Sequence, residues 1–353
     1  MFPGTHAALE PIAVDTSGHG FIHAKSKTPF IPWGHNYGNQ GRLMEDFWEQ
    51  DWKTFADDFR EMKAMGANVV RVHLQFGYFM AAADKPRASA FAQLFKMLRL
   101  AEETGVYLDL TGLACYRTND VPKWYDAAND EERWNAQAVF WQAVAECSAR
   151  SPAVFCYDLM NEPISPGKQT ERKWYTGKFG DYSFIQFIAQ NEKDQPREAQ
   201  AVAWIERMTA AIRSRDPSHL ITVGMLPWGR VWGHLSGFIP AQVSAKLDFL
   251  SVHLYPDRAN PGEAMEALQK CAGTKPVVIE ETFPLSCSVA DLEVFLRESR
   301  GIACGWIGHY DGTPLAELTA FQRAGKLTLP QAFMRDWLQL FVRLQPEFTS
   351  TRR

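Results

Sequence analysis

The chain has 353 residues, enough for two ordinary domains or for one large α/β barrel of about 250 residues with insertions. A net charge of −4 leaves no basic surface for nucleic acid, and no apolar run reaches the ~18 residues that a membrane-spanning helix needs. With 46% hydrophobic and 22% charged residues, the composition is that of a globular protein able to bury a sizeable core.

Residues Met1 to His6 show no basic region followed by an apolar one. A cytoplasmic location is therefore expected, or a secreted one if the sequence is a trimmed mature form. Cys115, Cys147, Cys156, Cys271, Cys287 and Cys304 show no CxxC spacing. They read as reduced thiols filling a core rather than as a disulfide framework or a zinc site. Core packing accounts for many of the 12 tryptophans, but sugars also stack their C–H faces on such rings.

In chain order, Ile12-Ala13-Val14 and Gly20-Phe21-Ile22-His23 flank a Thr16-Ser17-Gly18 turn, and Pro29-Phe30-Ile31 follows. This predicts a short N-terminal β-hairpin cap. Trp33-Gly34-His35-Asn36 then ends a strand in a polar loop. From there strands and helices alternate. Trp52, Phe55, Ala56, Phe59 and Met62 fall at helical spacing up to Gly66, and further helices are expected over 87–104, 130–149, 198–214, 262–271, 291–300 and 330–342. Strands are expected over 68–74, 106–111, 154–160, 220–225, 247–253, 276–280 and 302–307. Strands separated by helices make parallel βαβ units, and eight of them close a barrel. The fold class expected is α/β, a single (β/α)8 TIM barrel domain over residues 1–353, with a doubly wound open sheet as the alternative. No GxGxxG follows the first strand, which argues against a dinucleotide-binding fold. A long loop after strand 4, residues 164–195, carries Trp174, Tyr175, Phe179, Tyr182 and Phe184 and has no clear periodicity. A loop of that length and aromatic content is expected to be functional, the place where substrate choice is decided.

In such a barrel the C-terminal strand ends share one face. The first strand delivers His35 and Asn36, the second Arg71 and His73, and the fourth Asn161 and Glu162. Trp228 follows the fifth, His253 and Tyr255 end the sixth, Glu280 and Glu281 the seventh, and Trp306, His309, Tyr310 and Asp311 the eighth. A carboxylate at the end of the apolar run Val154 to Met160, stopped by Pro163, is costly to ionise, which suits a general acid. The bland alternative for Glu162 is a structural ion pair with Arg71. Of Glu280 and Glu281, adjacent residues on a strand, one should be a bystander facing away, because neighbouring side chains alternate sides. His35, His73 and His309 read as hydrogen-bonded loop residues, since no HxH or HExxH pairs them for a metal.

Asn161-Glu162-Pro163 on the fourth strand and Lys275-Pro276-Val277-Val278-Ile279-Glu280-Glu281 on the seventh resemble the retaining β-glycosidases of clan A, most of all glycoside hydrolase family 5, the cellulases and β-mannanases. His253-Leu254-Tyr255-Pro256, the Asn68 to Arg71 strand and Trp33-Gly34-His35-Asn36 fit the same family, and the likeness extends over roughly residues 10 to 345 of the strand and helix alternation. The resemblance implies a barrel that hydrolyses β-linked glycans or oligosaccharides of mannan or glucan type by double displacement. It implies Glu162 as acid/base and Glu281 as nucleophile, with Glu280 as the alternative nucleophile. Asn36, Arg71, Asn161, Trp228, His253, Tyr255 and Trp306 become candidate substrate-binding residues. Arg71 and Tyr255 would keep Glu281 ionised, while burial and the like charge of its partner would keep Glu162 protonated.

The resemblance implies no metal and no organic cofactor and a carbohydrate partner, while charge and the lack of a long apolar run argue against nucleic acid and membrane. Two departures stand out. Leu110-Thr111-Gly112 occupies the end of strand 3, where the family carries a histidine. His309 takes the later position of the strand 8 stretch, where the family has a tryptophan, so Trp306 or Tyr310 is left to form the floor under the sugar, unless Trp306 belongs to the core. An exo-acting β-glycosidase on short oligosaccharides is one rival reading, since the loop after strand 4 could wall off one end of the cleft. A non-catalytic carbohydrate-binding barrel is another, which need not keep both glutamates.

Overall fold

The computed structural model describes residues 8–167, 173–190, 195–227, 236–273 and 275–350. Three short strands open it: β1 (Ile12–Val14), β2 (Phe21–His23) and β3 (Pro29–Phe30) form an antiparallel sheet in that order. The turn between the first two needs a glycine, since Gly18 takes φ +76°.

Eight parallel strands then close a barrel: β4 (Trp33–Tyr37), β5 (Val69–Gln75), β8 (Tyr107–Ala114), β9 (Val154–Asn161), β13 (Leu220–Met225), β14 (Leu250–His253), β15 (Val277–Glu281) and β16 (Gly305–Tyr310), with β16 pairing back onto β4. Two additions sit on this frame. One is a hairpin of β6 (Met80–Ala82) and β7 (Lys85–Pro86); the other is a sheet of β10 (Pro163–Ile164), β12 (Tyr182–Phe187) and β11 (Tyr175–Phe179) in that spatial order. Most of the second lies inside the 164–195 stretch, whose residues 175–187 form a β-hairpin rather than an irregular loop. Its bend falls at Gly180, φ +58°.

The helices alternate with the strands as the sequence pattern predicts. Helix Asp130–Ser148 starts at a capping box, in which Asn129 accepts from the Glu132 N–H and Glu132 accepts from the Asn129 N–H. Helix Ala88–Thr104 stops at Gly105 in the left-handed conformation. Several boundaries differ. The last strand starts at Gly305, not at Ile302, because the Ile302 and Ala303 N–H groups are held by the Ser299 carbonyl at the end of the preceding helix. The closing helix runs over Leu329–Thr349, beyond the expected 330–342, and a further helix, Leu315–Arg323, precedes it.

The two ends of the barrel differ in chemistry. At the N-terminal end Ile12, Phe21 and Phe30 of the cap pack against Val69, Tyr107, Phe155, Leu220, Phe249, Val278 and Ile307, at or near the starts of the strands. This apolar plug removes water from the floor. The C-terminal end is polar, as described below. Outside the barrel, the closing helix lays Phe341 on Trp33, with ring centroids 4.7 Å apart, and places Trp337 directly over Gly308 of β16.

That last contact leaves no space for a side chain: a Cβ at Gly308 would lie 1.9 Å from Trp337 Cζ2. Gly308→Ala is expected to cost about 1–3 kcal/mol through overpacking, read as a lowered Tm. An unchanged Tm would show that the closing helix is not seated on β16 as described.

Candidate active site

The polar end is built by irregular strand pairing. Between β14 and β15, Val252 lies opposite Ile279 but His253 lies opposite Glu281, so Glu280 is an extra residue. Such a bulge breaks strict alternation. Glu280 and Glu281 are both buried at the polar end of the barrel, and both reach Arg71 and His253. The expectation that one of them faces away as a surface charge is therefore corrected: Glu280 is fully buried. A similar slip between β9 and β13, where Thr222 faces Asp158 and Gly224 faces Asn161, brings both Asp158 and Asn161 onto Arg71. Glu162 follows with φ +46°, a left-handed conformation that a glutamate rarely adopts. Its N–H is anchored on the Gly224 carbonyl at 2.8 Å.

Arg71 is the centre of the cluster. It has no solvent exposure, and its two terminal nitrogens hold four acceptors. Nη1 donates to Asn36 Oδ1 (2.7 Å) and Glu281 Oε1 (2.5 Å); Nη2 donates to Asp158 Oδ2 (2.7 Å) and Asn161 Oδ1 (3.0 Å), with Glu280 Oε2 at 3.6 Å. Asp158 also accepts from Thr111 Oγ1 and from the Gly224 N–H.

His253 sits between the carboxylates. Its Nδ1 is 3.0 Å from Glu162 Oε1 and 3.5 Å from Glu281 Oε2, and its Nε2 is 3.4 Å from Glu280 Oε2. Burial works against a charge on this ring, but the pull of Glu281 and the bonds to Glu162 and Glu280 push it up to about 10. His73 and His309 are different: burial holds both down, and the Arg71 charge adds to it. Glu281 is disfavoured as an anion by burial, yet His253 and Arg71 together hold it well below the usual carboxylate range. Tyr255 donates to its second oxygen at 2.6 Å; burial and the Glu281 charge push that phenol well up, so it stays a donor. An oxygen of Glu162 and an oxygen of Glu281 lie within 4.8 Å of each other.

Most of the residues singled out in the sequence meet here, but their polar groups are engaged differently. Asn36 spends its amide on Arg71 and on the carbonyls of Glu280 and Gly308, so it braces the frame. Asn161 accepts from Arg71 and donates to the Phe184 carbonyl. Trp306 is not at the mouth. It is buried against Trp33 and Phe348, with its Nε1 donating to Ser299 Oγ, so the expected sugar floor is core instead. Tyr310 is buried as well, beside His35. At the end of the eighth strand it is His309 that faces the cluster, stacked on Tyr255 and 2.9 Å from its hydroxyl. Trp228 lies outside the described residues.

Three residues that the sequence analysis left aside also take part, together with Phe184 of the long loop after strand 4. Asp109 and Asp158 carried a signal, since each is a lone acid inside an otherwise apolar buried strand. Tyr116, beyond β8, bonds His73 Nδ1 at 2.5 Å and occupies the end of the third strand, where a histidine was missing. Phe184 comes from the β11–β12 hairpin and packs on Tyr116 at 4.8 Å. The hairpin is fastened across this side of the mouth. The Ser183 N–H donates to the Tyr116 carbonyl, Gln186 Nε2 to the Leu113 carbonyl, and the Tyr182 hydroxyl reaches the Gly41 carbonyl beyond β4.

Comparison with known proteins follows the same lines. A family model described as cellulase (glycosyl hydrolase family 5) matches residues 25–283. The chain is 27% identical over 120 residues to mannan endo-1,4-beta-mannosidase 4 of Oryza sativa subsp. japonica, covering 30% of this chain and 20% of that protein. It is 25% identical over 212 residues to mannan endo-1,4-beta-mannosidase A of Podospora anserina, covering 52% and 48%. The matched stretches span less than half the length of either relative. Among solved structures, an exo-beta-1,4-mannosidase from Opitutaceae bacterium strain TAV5 superposes with a TM-score of 0.68 at 19% identity, over 96% of this chain and 62% of that one. The beta-mannanase of the blue mussel Mytilus edulis gives 0.64 at 15% identity, over 96% and 97%. At these identities the structural likeness is one of fold.

The cluster is centred on Arg71, which sets a stability test. Arg71→Met strands Asp158, Glu280 and Glu281 in the interior and is expected to cost about 3–5 kcal/mol in urea unfolding. Without Arg71 the folded-state pKa values of these acids rise above their unfolded values, so the deficit should shrink as pH falls through the carboxylate range. A deficit independent of pH would contradict the charge assignment.

Proposed function

The chain belongs to glycosyl hydrolase family 5, and on that premise we propose that it hydrolyses β-glycosidic bonds with retention of configuration, using Glu281 as nucleophile and Glu162 as acid/base. The observation that carries this reading is the spacing of the two carboxylates, within 4.8 Å between nearest oxygens. Retaining enzymes hold their carboxyls about 5–5.5 Å apart, whereas inverting ones need about 6.5–9.5 Å to fit a water between them.

The environments divide the labour. Glu281, ionised by His253 and Arg71, attacks the anomeric carbon; Glu162 gives its proton to the departing oxygen. The glycosyl-enzyme ester then carries no charge at Glu281, and Glu162, now a carboxylate, takes a proton from the water that cleaves the ester. Tyr255 and Arg71 each hold one oxygen of Glu281, which orients the nucleophile before attack. The substrate class we assign is a β-linked mannose-containing glycan. Its support is that the curated relatives and the structural neighbours named above are mannanases and mannosidases.

A second reading, exo action on short oligosaccharides, is favoured by one feature. The β11–β12 hairpin is bonded from the loop beyond β8 to Gly41 beyond β4, and so raises a wall on that side of the mouth. Mannohexaose distinguishes the two. Exo action releases one product size from the first turnover, and endo action releases several.

Glu281→Ala should abolish turnover of an aryl β-mannoside, with azide restoring cleavage and giving an α-configured product. Full activity in Glu281→Ala would remove it as nucleophile. Glu162→Ala should lower kcat/KM for unactivated glycosides by about 10²–10⁴-fold while sparing kcat/KM for dinitrophenyl glycosides, whose first step needs no acid assistance; equal losses of kcat/KM on both would remove Glu162 as the acid. Because Glu281 is ionised well below the usual carboxylate range, kcat/KM should hold up on the acid side until pH falls below that range.

A further inference from the structure

Beneath the two carboxylates lies a second pair of acids that the proposed reaction does not use. Asp109 of β8 and Glu280 of β15 are both fully buried, and an oxygen of each lies within 4.8 Å of the other and of Asp158. Asp158 is satisfied by Arg71, Thr111 and the Gly224 N–H. Glu280 Oε1 and both oxygens of Asp109 receive no hydrogen bond from any neighbouring N–H or hydroxyl. Beyond the weak donor of the Cys156 thiol beside Asp109, nothing satisfies them, and two anions facing each other in a dry interior on that alone are untenable, so one proton belongs between them. Burial and the Glu280 charge both hold Asp109 well above the usual range, whereas Arg71 and His253 draw Glu280 below it against its own burial. The proton therefore sits on Asp109.

We propose that Glu280 is a positioning residue for the reaction set out above: it accepts from Asp109 at Oε1 and from His253 Nε2 at Oε2, and thereby fixes His253 Nδ1–H as a donor to Glu162. This rests on the assignment of Glu162 as acid/base. A ring nitrogen that donates to Glu280 cannot be the bare one, and the second nitrogen lies 3.0 Å from Glu162 Oε1 and 3.5 Å from Glu281 Oε2, of which the ionised Glu281 can only accept. The charged and titratable groups facing His253 are Glu162, Glu280, Glu281 and Arg71, with His73 and His309 nearby. The donor on Glu162 Oε1 leaves Oε2 to carry the proton that goes to the leaving group. It also stabilises the carboxylate that remains, so Glu162 releases its proton without a change of partner. Space at this point is already used up: a Cβ at Gly224 would lie 2.8 Å from both Glu280 Oε2 and His253 Nε2.

Two measurements test this. In the wild-type protein, nitrogen-15 spectra of the imidazoles, with His253 assigned by its loss in His253→Gln, should show both ring nitrogens protonated across about pH 6–8. A bare nitrogen on His253 in that range overturns the proposal, whatever the protein hydrolyses, so this result stands apart from failure of the glycosidase reading. Asp109→Asn keeps an N–H donor toward Glu280 and should leave the His253 signals in place; their loss would overturn the neutral Asp109. The second measurement is Glu280→Gln on an aryl β-mannoside with a poor leaving group. With the anion gone His253 Nε2 loses its acceptor and Nδ1–H is no longer fixed on Glu162, and the alkaline limb of kcat/KM should move up by roughly one unit. An unshifted limb would mean that Glu280 acts only as filling.

Discussion

Everything at the open end of this barrel depends on a guanidinium that has no access to water. Arg71 rises from β5 into a ring of acids drawn from β9 and β15, together with amides from β4 and β9. A buried charge is tolerated only when it is paired and hydrogen-bonded, and removing one partner leaves the others exposed to the full desolvation penalty. The arginine is thus a condition on the fold as well as on the site. Its planar fork holds two directions at once, with Nη1 on Glu281 and Nη2 on Asp158.

The same cation explains why two neighbouring glutamates differ in task. Glu281 is the one that Tyr255 also reaches, at the mouth; Glu280 is deeper, turned toward Asp109 and His253. His253 links the levels, with one ring nitrogen on Glu280 and the other on the Glu162 and Glu281 pair. The result is a layered arrangement, from an apolar plug at the cap, through an acid pair sharing one proton and an arginine, to a nucleophile and an acid facing substrate.

Much of this was legible in the sequence because its cause is local. Apolar runs separated by helical spacing give the eight strands, and Asn161, Glu162, His253, Tyr255 and Glu281 stand at their ends. What was illegible has its cause in pairing. The inward turn of Glu280 needs the slip between β14 and β15, which no period-two reading of Val277 to Glu281 contains. Trp306 looked like a mouth residue because the last strand was begun three residues early; in the true register it faces Trp33 and the closing helix. The β11–β12 hairpin was hidden by its mixed polarity, since Tyr175–Phe179 is half-exposed and buries no clean face. The left-handed backbone of Glu162 has no sequence signal at all, because glutamate is not a residue that chooses it.

The central claim is that Glu281, and not its neighbour, forms a covalent bond with the sugar while Glu162 serves it as acid and base. Incubating the wild-type protein with a 2-deoxy-2-fluoro-β-mannosyl fluoride and mapping the labelled peptide by mass spectrometry tests it directly. The account predicts one fluorosugar per chain, attached to Glu281 and released by a transglycosylation acceptor. Attachment to Glu280 would contradict it.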